Sequence, residues 1–178
     1  MIYKLIDSYD KRLKTPTQKF DFENPEVDPK ELETNLIETL IELKGVGLAC
    51  NQVGLPHRVA VCGHWSKPEE LITIFNPLIV DFSGQTYYTE EGCLSFPGMF
   101  VKVKRYLNIR LRYQSQDGET HTSPLDGWAA SVVQHEVDHL DGITFLDRAN
   151  RYHRDQAMNH KKKLDRIRKK NERKTRIA

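Results

Sequence analysis

The sequence predicts an α+β fold: antiparallel β-sheets around a buried central helix, with a further helix at the C-terminus. Three observations predict it. Strand-like runs and isolated helical stretches are mixed along one chain of 178 residues. The longest strand-like run, "VKVKRYLNIRLRYQ" at 101–114, alternates apolar and polar residues as a half-buried antiparallel strand does. The stretch "GWAASVVQHEVDHL" is apolar over much of its length, which predicts a helix that is largely buried.

The elements follow in order. Residues 1–30 read as irregular, broken by Pro16, Pro25 and Pro29. Asp28 is an N-cap and Pro29 suits the first helical position. Leu32, Leu36, Ile37, Leu40, Ile41 and Leu43 recur at helical spacing, and the helix should stop near Gly45. "RVAVCG" at 58–63 reads as a strand, and "LITIFNPLIVDF" at 71–82 as another, broken at Asn76-Pro77. The run at 101–114 reads as one long strand. Asp117-Gly118 marks a hairpin turn, and "ETHTS" returns from it. Asp126 is placed to cap the second helix, and Gly142 lies just past its end. From about residue 150 the chain reads as a third helix.

Composition bounds the function. With 38% hydrophobic and 29% charged residues, the chain reads as globular, and it is long enough for one domain with a sizeable core. No apolar run approaches the ~20 residues that span a bilayer, and the first residues lack the apolar stretch of a signal peptide. Cys50, Cys62 and Cys93 are too few and too scattered for a disulfide framework, so a reduced, cytoplasmic protein is expected. Residues 151–178 hold twelve Lys/Arg against three Asp/Glu, a net +9, which leaves −7 on residues 1–150. Two regions are therefore expected, a catalytic body over 1–150 and a basic helical tail over 151–178. Such a tail suits a polyanion such as RNA, or it is simply a solvated helix face.

Chemistry concentrates in "QHEVDHLDG" at 134–142. His135 and His139 are four apart and share a helical face, with Glu136 beside them. Two imidazoles and two acids on a buried helix need partners or a metal. A catalytic site wants a third protein ligand. The extended metalloprotease pattern places a histidine where this chain has Phe145. Glu172, His153 and His160 lie in the polar tail, which makes them poor buried ligands. "EEGCLSFPG" at 90–98 offers Cys93 next to Gly92, although a lone cysteine is as often a packed core residue. "GVGLACNQVG" at 45–54 lacks the residues of a dinucleotide or phosphate loop and reads by itself as a helix-stop loop.

Taken together and in this order, the three segments resemble peptide deformylase. That family carries a Gly-x-Gly-x-Ala-Ala-x-Gln loop, a Glu-Gly-Cys-Leu-Ser strand end and a Gln-His-Glu-x-x-His helix. Here they stand as Gly45 to Gln52, Glu91 to Ser95 and Gln134 to His139. Cys50 replaces the second alanine of the loop. Phe100 stands in a region where the family often has an arginine, which bears on the outer rim of the cleft.

The resemblance implies an enzyme that removes the formyl group from N-terminal formylmethionine of newly made polypeptides. It implies one metal held by Cys93, His135 and His139, typically Fe(II), with zinc, nickel or cobalt able to replace it. A thiolate and two imidazoles suit all of these ions. It further implies Glu136 as proton acceptor, and the Gln52 side chain and the Leu94 backbone N–H as donors to the formyl oxygen. Gly47 is expected to hold the peptide. Val46, Val132 and Ser131 line the pocket for the first side chain. Glu91 is expected to be buried and paired with Arg105. The implied partners are N-formylmethionyl nascent peptides and, through the basic tail, ribosomal RNA. No DNA and no membrane partner is expected, and the chain is expected to be a monomer. Two other classes compete: a metal-dependent endoprotease, against which Phe145 argues, and a closed structural zinc module, which would want a fourth protein ligand.

Overall fold

The computed structural model describes residues 1–175, with side chains described for residues 1–163, 166 and 167. It is α+β, with antiparallel sheets and a C-terminal helix. Seven strands form two sheets. The larger has the order β1 (Gly47–Ala49), β2 (Val59–Cys62), β3 (Ile72–Phe82), β6 (Asn108–Gln114) and β7 (Thr120–Asp126). The smaller is the hairpin of β4 (Thr86–Gly92) and β5 (Phe100–Tyr106). The helices are α1 (Pro29–Glu42), α2 (Gly127–Leu140), the short α3 (Phe145–Arg148) and α4 (Arg151–Thr175).

Helix α1 starts as the sequence predicts. The Asp28 side chain accepts a hydrogen bond from Glu31 N–H, and Pro29 occupies the first turn. The helix ends before Gly45. Lys44 takes the left-handed conformation at φ 54°, and the N–H groups of Lys44 and Gly45 return to the carbonyls of Ile41 and Leu40. This is the Schellman arrangement with a lysine where glycine is usual.

Strand β2 reads as an unbroken apolar run because both faces of the sheet are covered. Val59 and Val61 pack with α1 residues Leu32, Leu36 and Leu40 on one side. Ala60 and Cys62 pack with α2 residues Ala130, Val133 and Val137 on the other. Successive strand residues point to opposite faces, so one strand serves two cores.

Three expectations need correction. The run 101–114 is two strands in two different sheets, parted by a bend at Leu107. Leu107 N–H donates to Gln85 O, and its own carbonyl accepts from Gly127 N–H. The alternation hides the bend because Leu107 keeps the apolar beat between Val103 and Ile109. Asn76-Pro77 does not break β3 but bulges it, with a register shift between Phe75 and Leu78. There Asn76 sits at φ 51°, and its amide bonds both backbone groups of Phe20 and the Gln114 side chain. Asp126 precedes α2, but its side chain makes no capping bond. Strand β1 is an addition that the sequence pattern does not predict, and β4 ends at Gly92, where the resemblance implies the end of a strand. The turn at Asp117-Gly118 is where it was expected, with Gly118 at φ 81°.

Helix α2 lies on the large sheet and faces the hairpin β4–β5 with its other side. Every residue from Ala130 to Leu140 is buried. The first turns of α4 close a third apolar cluster, in which Ala157 packs with Met99, Val101, Val103 and Phe145. Among the described residues, no helix is long and apolar enough to cross a membrane.

Candidate active site

Two elements bring three donor groups to one point. Helix α2 presents His135 and His139 one turn apart, with ring centroids separated by 4.9 Å. The turn after β4 presents Cys93. The donor atoms of Cys93, His135 and His139 all lie within 4.8 Å of one another. Cys93 Sγ is 3.2 Å from His139 Nε2. Two ligands on one tetrahedral ion at ordinary zinc–sulfur and zinc–nitrogen distances would stand roughly 3.5 Å apart. The donor set and its spacing therefore fit a single divalent ion. Burial and the neighbouring His135 push His139 well below the ordinary imidazole range.

Behind the histidines runs a chain of buried charge. Glu91 Oε2 is 2.8 Å from His135 Nδ1, so the other ring nitrogen is left for the site. Arg105 grips Glu91 through Nε at 2.6 Å and Nη2 at 2.9 Å. Burial alone would raise the Glu91 carboxyl, but the bonds from Arg105 and His135 outweigh it and hold the group at about 2. Arg105 continues to Asp138 Oδ2 at 2.6 Å, and Arg148 of α3 closes on Asp138 at 2.6 Å. Asp138 was legible as an acid on a buried helix that needed a partner. Its partners come from β5 and α3, which no local pattern reveals.

Glu136 lies deeper. Its Oε2 is buried and has no hydrogen-bond partner among the described residues. Burial raises its carboxyl to about 7. Gly47 makes room for it: a Cβ on Gly47 would lie 2.1 Å from Glu136 Oε1. Gln52 is held by its own turn. Ala49 N–H needs an acceptor and takes Gln52 Oε1 at 2.8 Å, so the amide nitrogen points the other way. That nitrogen is 3.4 Å from Cys93 Sγ and 3.1 Å from Ser95 Oγ. Next to it, Asn51 Nδ2 donates to the His139 carbonyl and ties this loop to α2.

These groups open into one cleft of about 430 Å³, within the usual range for small-ligand sites. Leu94, Val46, Gly47, Val132 and Ser131 all line it, as does Phe100 at its rim. Cys93, Gln52, Glu136, His135 and Glu91 line the same cleft, while His139 and Arg105 lie in contact with these groups. Phe145 is a core residue whose ring centroid is 5.8 Å from that of His135, and His153 packs on Tyr88 instead. Sequence reasoning missed Ser95 and Tyr87, whose contacts with Gln52 and Ser131 are distant in sequence, and Arg148, which reaches Asp138 only because the chain turns back between α2 and α3.

The chain is similar to known proteins over most of its length. A family model described as polypeptide deformylase matches residues 2–155. A peptide deformylase of Aquifex aeolicus is 41% identical over 160 residues, covering 88% of this chain and 93% of that protein. One of Fusobacterium nucleatum is 34% identical over 176 residues, covering 97% and 100%. Among solved structures, a Met-Ala-Ser-bound class I type b peptide deformylase of Acinetobacter baumannii superposes with a TM-score of 0.76 at 29% identity, covering 83% of this chain and 98% of that one. An actinonin complex of the Synechococcus elongatus enzyme gives 0.82 at 28% identity, covering 89% and 87%.

Proposed function

This chain belongs to the polypeptide deformylase family, enzymes that hydrolyse a formyl amide, and from that premise we propose that it deformylates the N-terminal formylmethionine of newly made polypeptides, releasing formate in the cytoplasm. The observation that carries the reading is the meeting of Cys93, His135 and His139 beside the buried, unpartnered oxygen of Glu136.

In this reading α2 is the helix that carries the His-Glu-x-x-His motif, and Cys93, His135 and His139 hold one divalent ion, Fe(II) or a substituting zinc, nickel or cobalt. When bound, such an ion acidifies a water and polarises the formyl carbonyl. The protein's own groups do the rest. Glu136 Oε2 takes a proton from the attacking water and passes it to the leaving amine. Gln52 Nε2 and the Leu94 N–H donate to the formyl oxygen as charge builds there. Gln52 needs no reorientation, because Ala49 already fixes its amide. The Gly47 backbone aligns the peptide, and Val46, Val132 and Ser131 receive the first side chain. Glu91 and Arg105 orient His135. Met-Ala-Ser, bound by the Acinetobacter baumannii relative, is the deformylated form of a suitable test peptide.

The basic tail is read as the contact with ribosomal RNA, and the enzyme as a monomer of a catalytic body over 1–150 and a helical tail over 151–178. The test is formate release from formyl-Met-Ala-Ser by the iron-loaded protein under anaerobic conditions. Wild type should release formate. Glu136→Ala should keep one metal per chain and lose turnover by at least ~10²-fold, the lower end of the general acid–base contribution. Near-normal turnover in that variant would remove Glu136 from the mechanism.

A further inference from the structure

The cleft lining includes a hydroxyl-bearing residue on α2. Ser131 lines it and is 6% exposed. Ser131 Oγ stands 2.6 Å from Tyr87 Oη, and Tyr87 Oη stands 2.9 Å from the Gly127 carbonyl oxygen. A hydroxyl carries one hydrogen, and a carbonyl only accepts. Tyr87 therefore donates to Gly127, and the hydrogen between the two hydroxyls comes from Ser131. In this state Ser131 Oγ keeps its lone pairs free to accept. The row can also reverse, so that Tyr87 donates to Ser131 and Ser131 donates outward. Gly127 is the first residue of α2, and its carbonyl keeps its place in the helical ladder when Tyr87 turns away.

We propose that Tyr87 and Ser131 set first-residue specificity, so that the cleft takes formyl peptides whose first side chain has methionine's length and ends in a hydrogen-bond acceptor, as methionine sulfoxide does, besides methionine itself. The proposal rests on the deformylase reading of the site. A thioether sulfur is a weak acceptor and gains little from a hydroxyl. A sulfoxide oxygen is a strong one, and an aliphatic floor would strip its water and return nothing. The reversible hydroxyl row supplies the missing donor. Oxidation of methionine to sulfoxide is a common lesion, and it makes the sulfur chiral. The two epimers aim that oxygen in different directions from the same chain position, so the row also predicts a preference between epimers.

The test compares kcat/KM for formate release from formyl-Met-Ala-Ser, formyl-norleucine-Ala-Ser and the two epimers of formyl-methionine-sulfoxide-Ala-Ser. Wild type should turn over one epimer within about tenfold of the methionine peptide, the span of a single neutral hydrogen bond. In Ser131→Val, the ratio of that epimer to norleucine should fall by about tenfold, and the epimer preference should disappear. Should Ser131→Val misfold, the double variant Tyr87→Phe/Ser131→Ala removes both hydroxyls without adding bulk and should move the ratio the same way. An unchanged ratio and epimer preference in the hydroxyl-free variant overturns the specificity proposal alone. No formate from any peptide in wild type overturns the deformylase reading instead.

Discussion

At the scale of single residues, Gly47 and Glu136 form one unit. The resemblance gives Gly47 a part in holding the peptide, and the structure adds that its missing Cβ is the space Glu136 fills. Gly47→Ala would force the Glu136 carboxylate aside, since that end of the side chain is what can move. The expected outcome is a loss of turnover of at least ~10-fold, because a displaced base loses its reach to the proton. Metal content should stay at one per chain, and the melting temperature should change little. Turnover within about twofold of wild type would show that Glu136 has another productive position. Cys93 gives the opposite pattern. As a thiolate ligand its removal in Cys93→Ala should take metal and activity together. Cys62 is buried between β2 and α2, outside the ligand set, and Cys62→Ala should keep the metal. Metal analysis after dialysis decides, and full occupancy in Cys93→Ala would reject the ligand assignment.

At the scale of elements, the site depends on how α2 is clamped between the hairpin and α3. Arg105 from β5 is 4% exposed and neutralises both Glu91 and Asp138, whereas Arg148 from α3 is 47% exposed. Removing Arg105 takes the only arginine from the buried Glu91 among the described residues and leaves Asp138 with the half-exposed Arg148 alone. Arg105→Ala should therefore cost about 3–5 kcal/mol in urea unfolding. Arg148→Ala leaves Asp138 with Arg105 and should cost at most about 1 kcal/mol. Equal losses in the two variants would show that burial does not set the energetics of this chain. The same clamp explains what the sequence could reveal. Helix α1 was legible because its cap, its proline and its apolar stripe are local. The sharing of a face by His135 and His139 was legible for the same reason. The split of 101–114 into β5 and β6 was not, because it depends on which strands lie alongside. Strand β1 is three residues long and contains a glycine, and only its pairing with β2 makes it a strand. The partners of Asp138 and Ser131 come from β4, β5 and α3, so their pairing is a property of the tertiary fold. The clue available at 101–114 was Arg105 itself, a charge on the inward beat of an otherwise apolar alternation.

At the scale of the whole molecule, the charge asymmetry has a structural counterpart. The start of α4 belongs to the body, since Ala157 is buried and Lys161 Nζ donates to the Pro97 carbonyl at the cleft rim. A truncation that tests the tail must therefore spare Lys161. Deleting residues 164–178 removes seven Lys/Arg and two Asp/Glu, a net +5, and leaves that hydrogen bond in place. A segment so charged meets RNA through phosphates, and each phosphate-binding cation that is deleted should lower the salt slope of binding by about 0.7–0.9. The truncated protein should thus cosediment with ribosomes more weakly at low salt, with a flatter salt dependence. Turnover on formyl-Met-Ala-Ser should stay close to wild type, because all residues read as catalytic lie before position 140. A tail that merely shields the body would instead give identical, salt-insensitive cosedimentation for both proteins, and that result would remove the ribosome from the reading while leaving the active site untouched.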